Sequence, residues 1–253
     1  MATDGQWLAN DIIMKVEKVF GMKPCKWQIE AAQALLRGDD VVVVVRTGLG
    51  KTLAFIIPLI LEPLRIILVI TPLTQLSIQH ADSLSSKGIP TISLSRSSMH
   101  DQEQLKAIAA GKYRAIILSP ECFNDPSFQR ILGSGNIKHK IQTLVVDEAH
   151  TLKDWACFRP EMETVQYIRN QFRGMTIYAT TATITPLDIV DLKHRLQMDP
   201  ERTTTIHRCN DRPNIDWIVQ PFRHSRSSWL DLRFLVPSIV NHTDSSPRVL
   251  IFV

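Results

Sequence analysis

The chain has 253 residues, of which 44% are hydrophobic and 21% are charged, and its formal net charge is +4. This composition excludes a disordered or fibrous protein. Its length allows one complete α/β domain and part of a second, and the small basic excess permits a nucleic-acid partner without requiring one. Widely separated cysteines argue against a zinc site or a disulfide framework, and prolines and charges in the most apolar stretch, residues 53–72, argue against a membrane span.

Two amphipathic helices are predicted first, over residues 7–20 and 28–36, because apolar side chains recur there at helical spacing. Short apolar runs follow, each separated from the next by a helix-length segment. The predicted strands are residues 41–45, 66–70, 89–94, 115–118, 143–146 and 176–179. This alternation predicts an α/β fold with a mostly parallel sheet, helices on both of its faces and ligands at the carboxyl ends of its strands.

The composition becomes charged and polar from about residue 199, which predicts a linker. We expect a first domain over residues 1–208, followed by the linker and the truncated beginning of a second domain over residues 209–253. The elements predicted in this second part are a strand over 215–219, a helix over 228–240 and a strand over 249–253.

A glycine-flanked lysine directly follows the first predicted strand. The loop consists of Thr47, Gly48, Leu49, Gly50, Lys51 and Thr52. Glycines let several backbone N–H groups point at a phosphate at close range, and the lysine adds a cation for the β- and γ-phosphates. Thr52 would place its hydroxyl on Mg²⁺ at the start of a new helix. The loop therefore predicts a nucleoside triphosphate site, and the alternative is a glycine-rich turn that binds nothing.

Two carboxylates, Asp147 and Glu148, follow the fifth predicted strand and should face this loop. We expect Asp147 to hold Mg²⁺ through its water shell, and Glu148 to orient and deprotonate the water that attacks the γ-phosphorus. His150 would connect this segment to the next motif. An acidic pair at a strand end is otherwise a solvated edge or a helix cap, but the loop at Lys51 favours the catalytic interpretation.

Together these segments resemble the RecQ family of ATP-dependent DNA helicases, within the DEAD/DEAH-type motors, over nearly the whole chain. Two pieces are most characteristic: Trp155 followed by Phe158 and Arg159, and the Asp-Arg-Pro-Asn stretch at residues 211–214. The resemblance implies that the aromatic segment senses single-stranded DNA, because bases stack on aromatic side chains. It also implies that residues 211–214 lie where the chain passes between two motor lobes. Otherwise the two pieces would be core aromatic residues and a simple turn.

The resemblance implies roles for several further residues. Thr71, Pro72 and Gln79 match a motif that grips DNA phosphates without reading sequence. Thr181 and Thr183 match an element that couples hydrolysis to movement of the lobes. Each of these pieces alone would be ordinary turn or strand-end material.

The resemblance also implies a RecA-like P-loop domain, followed by the start of a second RecA-like lobe, that uses ATP and Mg²⁺. Lys51 and Glu148 would be its catalytic residues. Gln28 would hydrogen-bond the adenine edge, and the alternative is that Gln28 merely begins a helix.

The implied function is that of the motor lobe of a 3′–5′ DNA helicase acting on single-stranded or partly unwound DNA. It would need a second lobe in a longer chain, so we expect slow hydrolysis from this polypeptide alone. The family implies a nuclear location in a eukaryote and a cytoplasmic one otherwise. The alternatives are a truncated, ATP-responsive nucleic-acid-binding module without motor activity and, less favoured by the aromatic segment, an RNA-directed motor.

Overall fold

The computed structural model describes residues 7–72, 74–133, 137–154, 169, 172, 174–216 and 218–235. The chain forms two compact units, Met1–Asp211 and Arg212–Val253. The helices described in the first unit are α1 (Ala9–Phe20), α2 (Lys26–Arg37), α3 (Lys51–Leu61), α4 (Thr74–Ser85), α5 (Gln102–Ala109), α6 (Pro120–Phe123), α7 (Pro126–Gly133), α8 (Thr151–Asp154) and α9 (Pro186–Arg195). Its strands are β1 (Asp40–Val44), β2 (Ile66–Ile70), β3 (Thr91–Leu94), β4 (Ala115–Leu118), β5 (Ile141–Asp147), β6 (Thr176–Thr181) and β7 (Thr203–His207).

The described strands form one 7-stranded sheet in the order β3-β4-β2-β5-β6-β1-β7, and every neighbouring pair is parallel. Each apolar run predicted as a strand forms one of β1 to β6, which confirms the predicted α/β fold. Strands β1, β2 and β4 are buried along their whole length because helices cover both faces of the sheet. All strands are parallel, so their carboxyl ends lie along one edge.

The core lies on both faces of this sheet. Val41 and Val43 of β1 belong to one apolar cluster, which also contains side chains of α2, α3 and α4. Val42 and Val44 point the other way, into a cluster formed with α5, α7 and α9. Among the described residues, no helix is both long enough and apolar enough to cross a membrane.

The linker predicted from residue 199 is wrong over its first part, because Thr203–His207 forms β7 and pairs with β1. Ile206 is the one fully buried residue of this strand, so its hydropathy did not reveal it. The three threonines before Ile206 are β-branched and favour extended backbone, and a single buried isoleucine is enough for a strand at the sheet edge.

The described part of the second unit contains short 3₁₀ helices at Arg226–Ser228 and Leu230–Leu235. The strand predicted over 215–219 is wrong, because the described residues of that stretch have no strand pairing. Ile218 and Val219, which gave the apolar pattern in the sequence, are exposed. They have no neighbouring strand among the described residues to pack against.

The helix predicted over 228–240 is replaced, in its described part, by the 3₁₀ helix Leu230–Leu235. Residues 236–240 and the strand predicted over 249–253 lie outside the described residues. The boundary predicted after residue 208 stays a prediction; the two compact units divide after Asp211.

Candidate nucleotide site

The predicted site residues come from four strands that are neighbours in the sheet. β2, β5, β6 and β1 lie side by side and end at the same edge. Thr71 follows β2, Asp147 ends β5, Thr181 ends β6, and the glycine loop follows β1. The topology therefore brings residues that are far apart in sequence to a single edge.

A buried glutamine holds the glycine loop in place. Gln28 donates from its side-chain amide to the carbonyl oxygens of Gly50 at 2.8 Å and Leu49 at 3.2 Å, and it accepts from the backbone N–H of Cys25 at 2.7 Å. Gly48 and Gly50 have φ of 88° and 74°, a left-handed conformation that side chains disfavour. A Cβ on Gly50 would also lie 2.8 Å from the Gln28 amide nitrogen. Both the backbone conformation and the close approach of Gln28 therefore require glycine at position 50.

These contacts give Gln28 a role that was not expected from the sequence. Its side chain is only 4% exposed, and its amide group is already bonded to the loop backbone. The adenine contact stays a prediction, whereas the support of the loop is a feature of the structure.

Lys51 begins α3, and its Nζ lies 3.5 Å from the carbonyl oxygen of Val45 across the loop. The carbonyl oxygen of Lys51 accepts a hydrogen bond from the hydroxyl of Tyr178 at 3.0 Å. Tyr178 is fully buried on β6, packs edge-on against Phe55, and has its pKa raised by burial, so the phenol stays a donor. Tyr178, which was not expected from the sequence, therefore fixes the first turn of α3.

Asp147 shares a small cavity of 40 Å³ with Thr52, Thr71 and His80. Burial raises the pKa of its carboxyl group, while the backbone N–H of Glu148 and nearby basic side chains oppose the shift. The Thr71 hydroxyl, predicted to contact DNA, donates to Asp147 Oδ2 at 3.4 Å. His80 was also not expected here, because an exposed histidine on α4 carries no motif signal. The cavity joins the glycine loop to the acidic segment.

Glu148 begins a chain of polar contacts that runs to β6. Its Oε2 lies 3.4 Å from His150 Nδ1, and this nitrogen lies 2.8 Å from Thr181 Oγ1. The Thr181 hydroxyl donates its single proton to the carbonyl oxygen of Thr183 at 3.2 Å, so His150 Nδ1 carries the proton in this arrangement. The chain brings together the predicted catalytic glutamate, the connecting histidine and both predicted coupling threonines.

The backbone at Glu148 is unusual. Its φ is 50°, a left-handed conformation that costs a residue other than glycine about 1–2 kcal/mol. The turn is held by a hydrogen bond from the N–H of Ala149 to the carbonyl oxygen of Thr180 at 2.9 Å. Strain of this kind is frequent at functional sites, and here the turn sets where the Glu148 carboxylate lies.

The remaining predicted residues are distributed more widely. Thr47 is exposed in the glycine loop, Pro72 is buried after β2, and Gln79 is exposed on α4. The predicted DNA-sensing segment, with Trp155, Phe158 and Arg159, lies entirely outside the described part of the chain.

The family model and the curated relatives indicate the same class of protein, a helicase. Residues 25–192 match the sequence model of the DEAD/DEAH box helicase family. An ATP-dependent DNA helicase RecQ from Haemophilus influenzae is 30% identical over 212 residues, which are 81% of this chain and 33% of the relative. The ATP-dependent DNA helicase hus2/rqh1 of Schizosaccharomyces pombe is 28% identical over 205 residues, which are 78% of this chain and 15% of the relative.

Among solved structures, the DUF1998 helicase MrfA bound to DNA and AMPPNP has a TM-score of 0.62 and 18% identity to this chain. The match covers 82% of this chain and 30% of MrfA. This likeness shows the fold. The chain spans a third or less of the length of the two curated relatives, so they contain segments beyond the aligned region.

The family match covers more than half of the residues, and the chain therefore belongs to the DEAD/DEAH box helicase family. Within that family it is a RecQ-like N-terminal motor lobe, since RecQ-type helicases align with most of its length. The RecA-like P-loop fold and the RecQ resemblance expected from the sequence are thus confirmed.

Proposed function

We propose that this chain is the ATP-binding motor lobe of a longer RecQ-like enzyme that couples ATP hydrolysis to 3′–5′ unwinding of DNA. The observation that carries the proposal is the cavity shared by Thr52 and Asp147. It joins the glycine loop to the acidic segment at one sheet edge. A turn without a ligand, or a solvated strand end, would not require a half-buried carboxylate beside that loop.

The chain supplies a group for each step at the nucleotide. Lys51 and the backbone N–H groups of the glycine loop bind the β- and γ-phosphates of ATP. Glu148 orients the attacking water and accepts its proton, and His150 supports the Glu148 carboxylate. Thr181 is bonded to His150 and to Thr183, and through these bonds the two threonines pass the state of Glu148 to the rest of the lobe.

Mg²⁺ fits the groups that are present. Thr52 offers a hydroxyl oxygen and Asp147 a carboxylate oxygen, both hard ligands on the same small cavity. Among the described residues, no three His, Cys, Asp or Glu side chains form a cluster that could hold a metal alone. A cation that keeps several waters and adds phosphate oxygens suits such a site. When bound, Mg²⁺ neutralises charge on the phosphates.

Single-stranded or partly unwound DNA is the proposed partner, together with a second RecA-like lobe in a longer chain. Support for DNA comes from the RecQ relatives, which are named as DNA helicases. Gln79 is exposed on α4, where it would contact phosphates, whereas the predicted contacts of the buried Thr71 and Pro72 would come through the backbone that follows β2. The proposed location, nuclear in a eukaryote and cytoplasmic otherwise, follows from the family alone.

Two substitutions on opposite sides of the site test this function. Lys51→Ala should weaken binding of AMPPNP with Mg²⁺ by more than about tenfold, because the phosphates lose a charged donor. Glu148→Gln should leave the affinity within about twofold and lower ATP turnover by about a hundredfold or more, because the general base is lost. Isothermal titration calorimetry measures the first effect and phosphate release the second.

Matched controls come from an exposed ion pair on α5, in which Lys106 Nζ lies 3.1 Å from Glu103 Oε1. Lys106→Ala and Glu103→Gln should change neither affinity nor turnover. Unchanged AMPPNP affinity in Lys51→Ala would contradict the nucleotide site. In a longer chain with its second lobe, stimulation of turnover by RNA instead of single-stranded DNA would favour an RNA-directed motor.

A further inference from the structure

The segment that leaves β7, residues 208–211, is bonded to the nucleotide edge of the sheet. We name it the exit strap. The backbone N–H of Arg208 donates to the carbonyl oxygen of Val44 at 2.9 Å, which extends the pairing with β7 to the last residue of β1, shortly before the glycine loop. The exit strap is also the last segment of the first compact unit, because the second unit starts at Arg212.

Two side chains attach the exit strap further along. The guanidinium of Arg46, directly after Val45 and before the glycine loop, donates to the carbonyl oxygen of Asp211 at 3.1 Å. The side-chain amide of Asn210 donates to the carbonyl oxygen of Ala182, which lies between the two coupling threonines. The exit strap therefore contacts Arg46, the residue directly before the glycine loop, and Ala182 of the coupling segment.

Asn210 also lies beside the polar chain that begins at Glu148. A cavity of 420 Å³ is lined by Asn210 together with His150 and Thr183, members of that chain. A change in the glycine loop would thus reach the exit strap through Arg46, and a change in the coupling segment would reach it through Ala182.

The attachments are of a kind that can open. Asn210 and Asp211 are exposed and Arg46 is half-buried, and hydrogen bonds open to water are individually weak. Segments held in this way detach and reattach without unfolding the domain around them. The balance between the attached and the detached strap is therefore sensitive to the position of Arg46.

We propose that Arg46 and Asn210 are positioning residues that couple nucleotide binding to attachment of the exit strap, from which the chain continues into the second unit. The inference rests on the proposed nucleotide site. Nucleotide bound on the glycine loop holds the adjoining Arg46 on Asp211 and so favours the attached state. By thermodynamic reciprocity, the attached state raises nucleotide affinity by the same factor.

Hydrogen–deuterium exchange of the Arg208 amide, resolved by overlapping peptides of the 253-residue chain, measures attachment. AMPPNP with Mg²⁺ should slow this exchange by about fivefold in the unaltered chain, within the usual range of coupling between two sites. Arg46→Ala and Asn210→Ala should speed the exchange without nucleotide and remove most of the response to AMPPNP. Their AMPPNP affinity, measured by calorimetry, should fall by a factor that agrees with the lost protection to within about twofold.

The matched control is Arg37→Ala, which removes an exposed arginine bonded to Asp39 at the other end of β1. This variant should keep both the exchange response and the affinity. Arg46→Lys, which keeps a cationic donor, should recover part of the response. Should Arg46→Ala fail to fold, Asn210→Ala at an exposed position carries the test, with thermal unfolding as the check on folding.

The outcomes separate the two proposals. AMPPNP binding with unchanged Arg208 exchange would overturn the coupling and leave the nucleotide site intact. So would an Asn210→Ala variant with faster exchange and unaltered affinity, because a merely structural tether would behave in this way. Absence of AMPPNP binding to the unaltered chain would overturn the nucleotide site and the coupling together.

Discussion

Asp147 holds its carboxyl group where the charged form is less favourable than it is in water. Burial beside the small cavity raises its pKa, although the N–H of Glu148 donates to Asp147 Oδ1 at 3.0 Å. An ionised carboxylate in this place weakens the ligand-free fold, because it loses contact with water. The same charge becomes favourable when a cation enters the cavity. The raised pKa and the cavity are what the proposed Mg²⁺ ligand requires, and they weaken the ligand-free fold.

Asp147→Asn should raise the free energy of unfolding at about pH 7 in the absence of nucleotide and Mg²⁺. Because folding raises the pKa of Asp147, its unfavourable contribution grows as the pH rises from the ordinary carboxyl range through the folded pKa, and persists above it. Asparagine keeps an acceptor for the N–H of Glu148 and has no charge. Urea unfolding should show a clear gain for the variant at about pH 7 and a smaller gain at about pH 4.

The control for this change is Asp82→Asn, which removes an exposed carboxylate from α4. It should alter stability little at either pH. A variant at Asp147 that is less stable than the unaltered chain at neutral pH would show that the hydrogen bonds to this carboxylate outweigh its burial.

At the scale of elements, the glycine loop depends on a neighbouring helix. Gln28 lies in the first turn of α2, and α2 packs against α3, the helix that directly follows the glycine loop. The side-chain amide of Gln28 donates hydrogen bonds to the carbonyl oxygens of Leu49 and Gly50, and these bonds position the loop before any nucleotide binds. Support of this kind acts on the phosphates and is therefore independent of the base.

Gln28→Ala should lower the affinity for GMPPNP with Mg²⁺ by about tenfold, because the loop loses two hydrogen bonds that hold its shape. Any larger loss for AMPPNP would measure the adenine contact predicted from the sequence. Calorimetry with both nucleotides gives the two values. The matched control is Gln33→Ala on the same helix, whose side chain donates to the carbonyl oxygen of Trp7 at 2.8 Å, away from the loop. Unchanged GMPPNP affinity in Gln28→Ala would contradict the supporting role.

The elements differ in how far the sequence predicts them. β1 to β6 coincide with mostly apolar runs, so hydropathy indicates them. The glycine loop and the acidic segment are recognisable because binding a phosphate explains both sets of side chains together. β7 escapes because an edge strand buries only Ile206. Gln28 and Tyr178 act through hydrogen bonds to backbone atoms distant in sequence, and such contacts leave no local pattern. Long-range bonds of this kind become visible only when the topology is known.

At the scale of the molecule, the whole described nucleotide site belongs to the first compact unit. The two apolar clusters on the faces of the sheet also lie entirely within it. The first unit therefore has its own core and its own functional edge. The last strand of this unit, β7, covers the side of β1 that would otherwise be an open sheet edge beside the glycine loop.

A polypeptide of residues 1–211 should therefore fold and bind AMPPNP with an affinity within about twofold of that of the 253-residue chain. A shorter polypeptide, residues 1–202, removes β7 and the exit strap. It should lose about 2 kcal/mol or more of unfolding free energy, since Ile206 leaves the core and β1 loses a paired neighbour. Urea unfolding and calorimetry measure the two effects. Equal stability of both polypeptides would show that β7 contributes nothing to the domain, and loss of binding in residues 1–211 would place part of the site in the second unit.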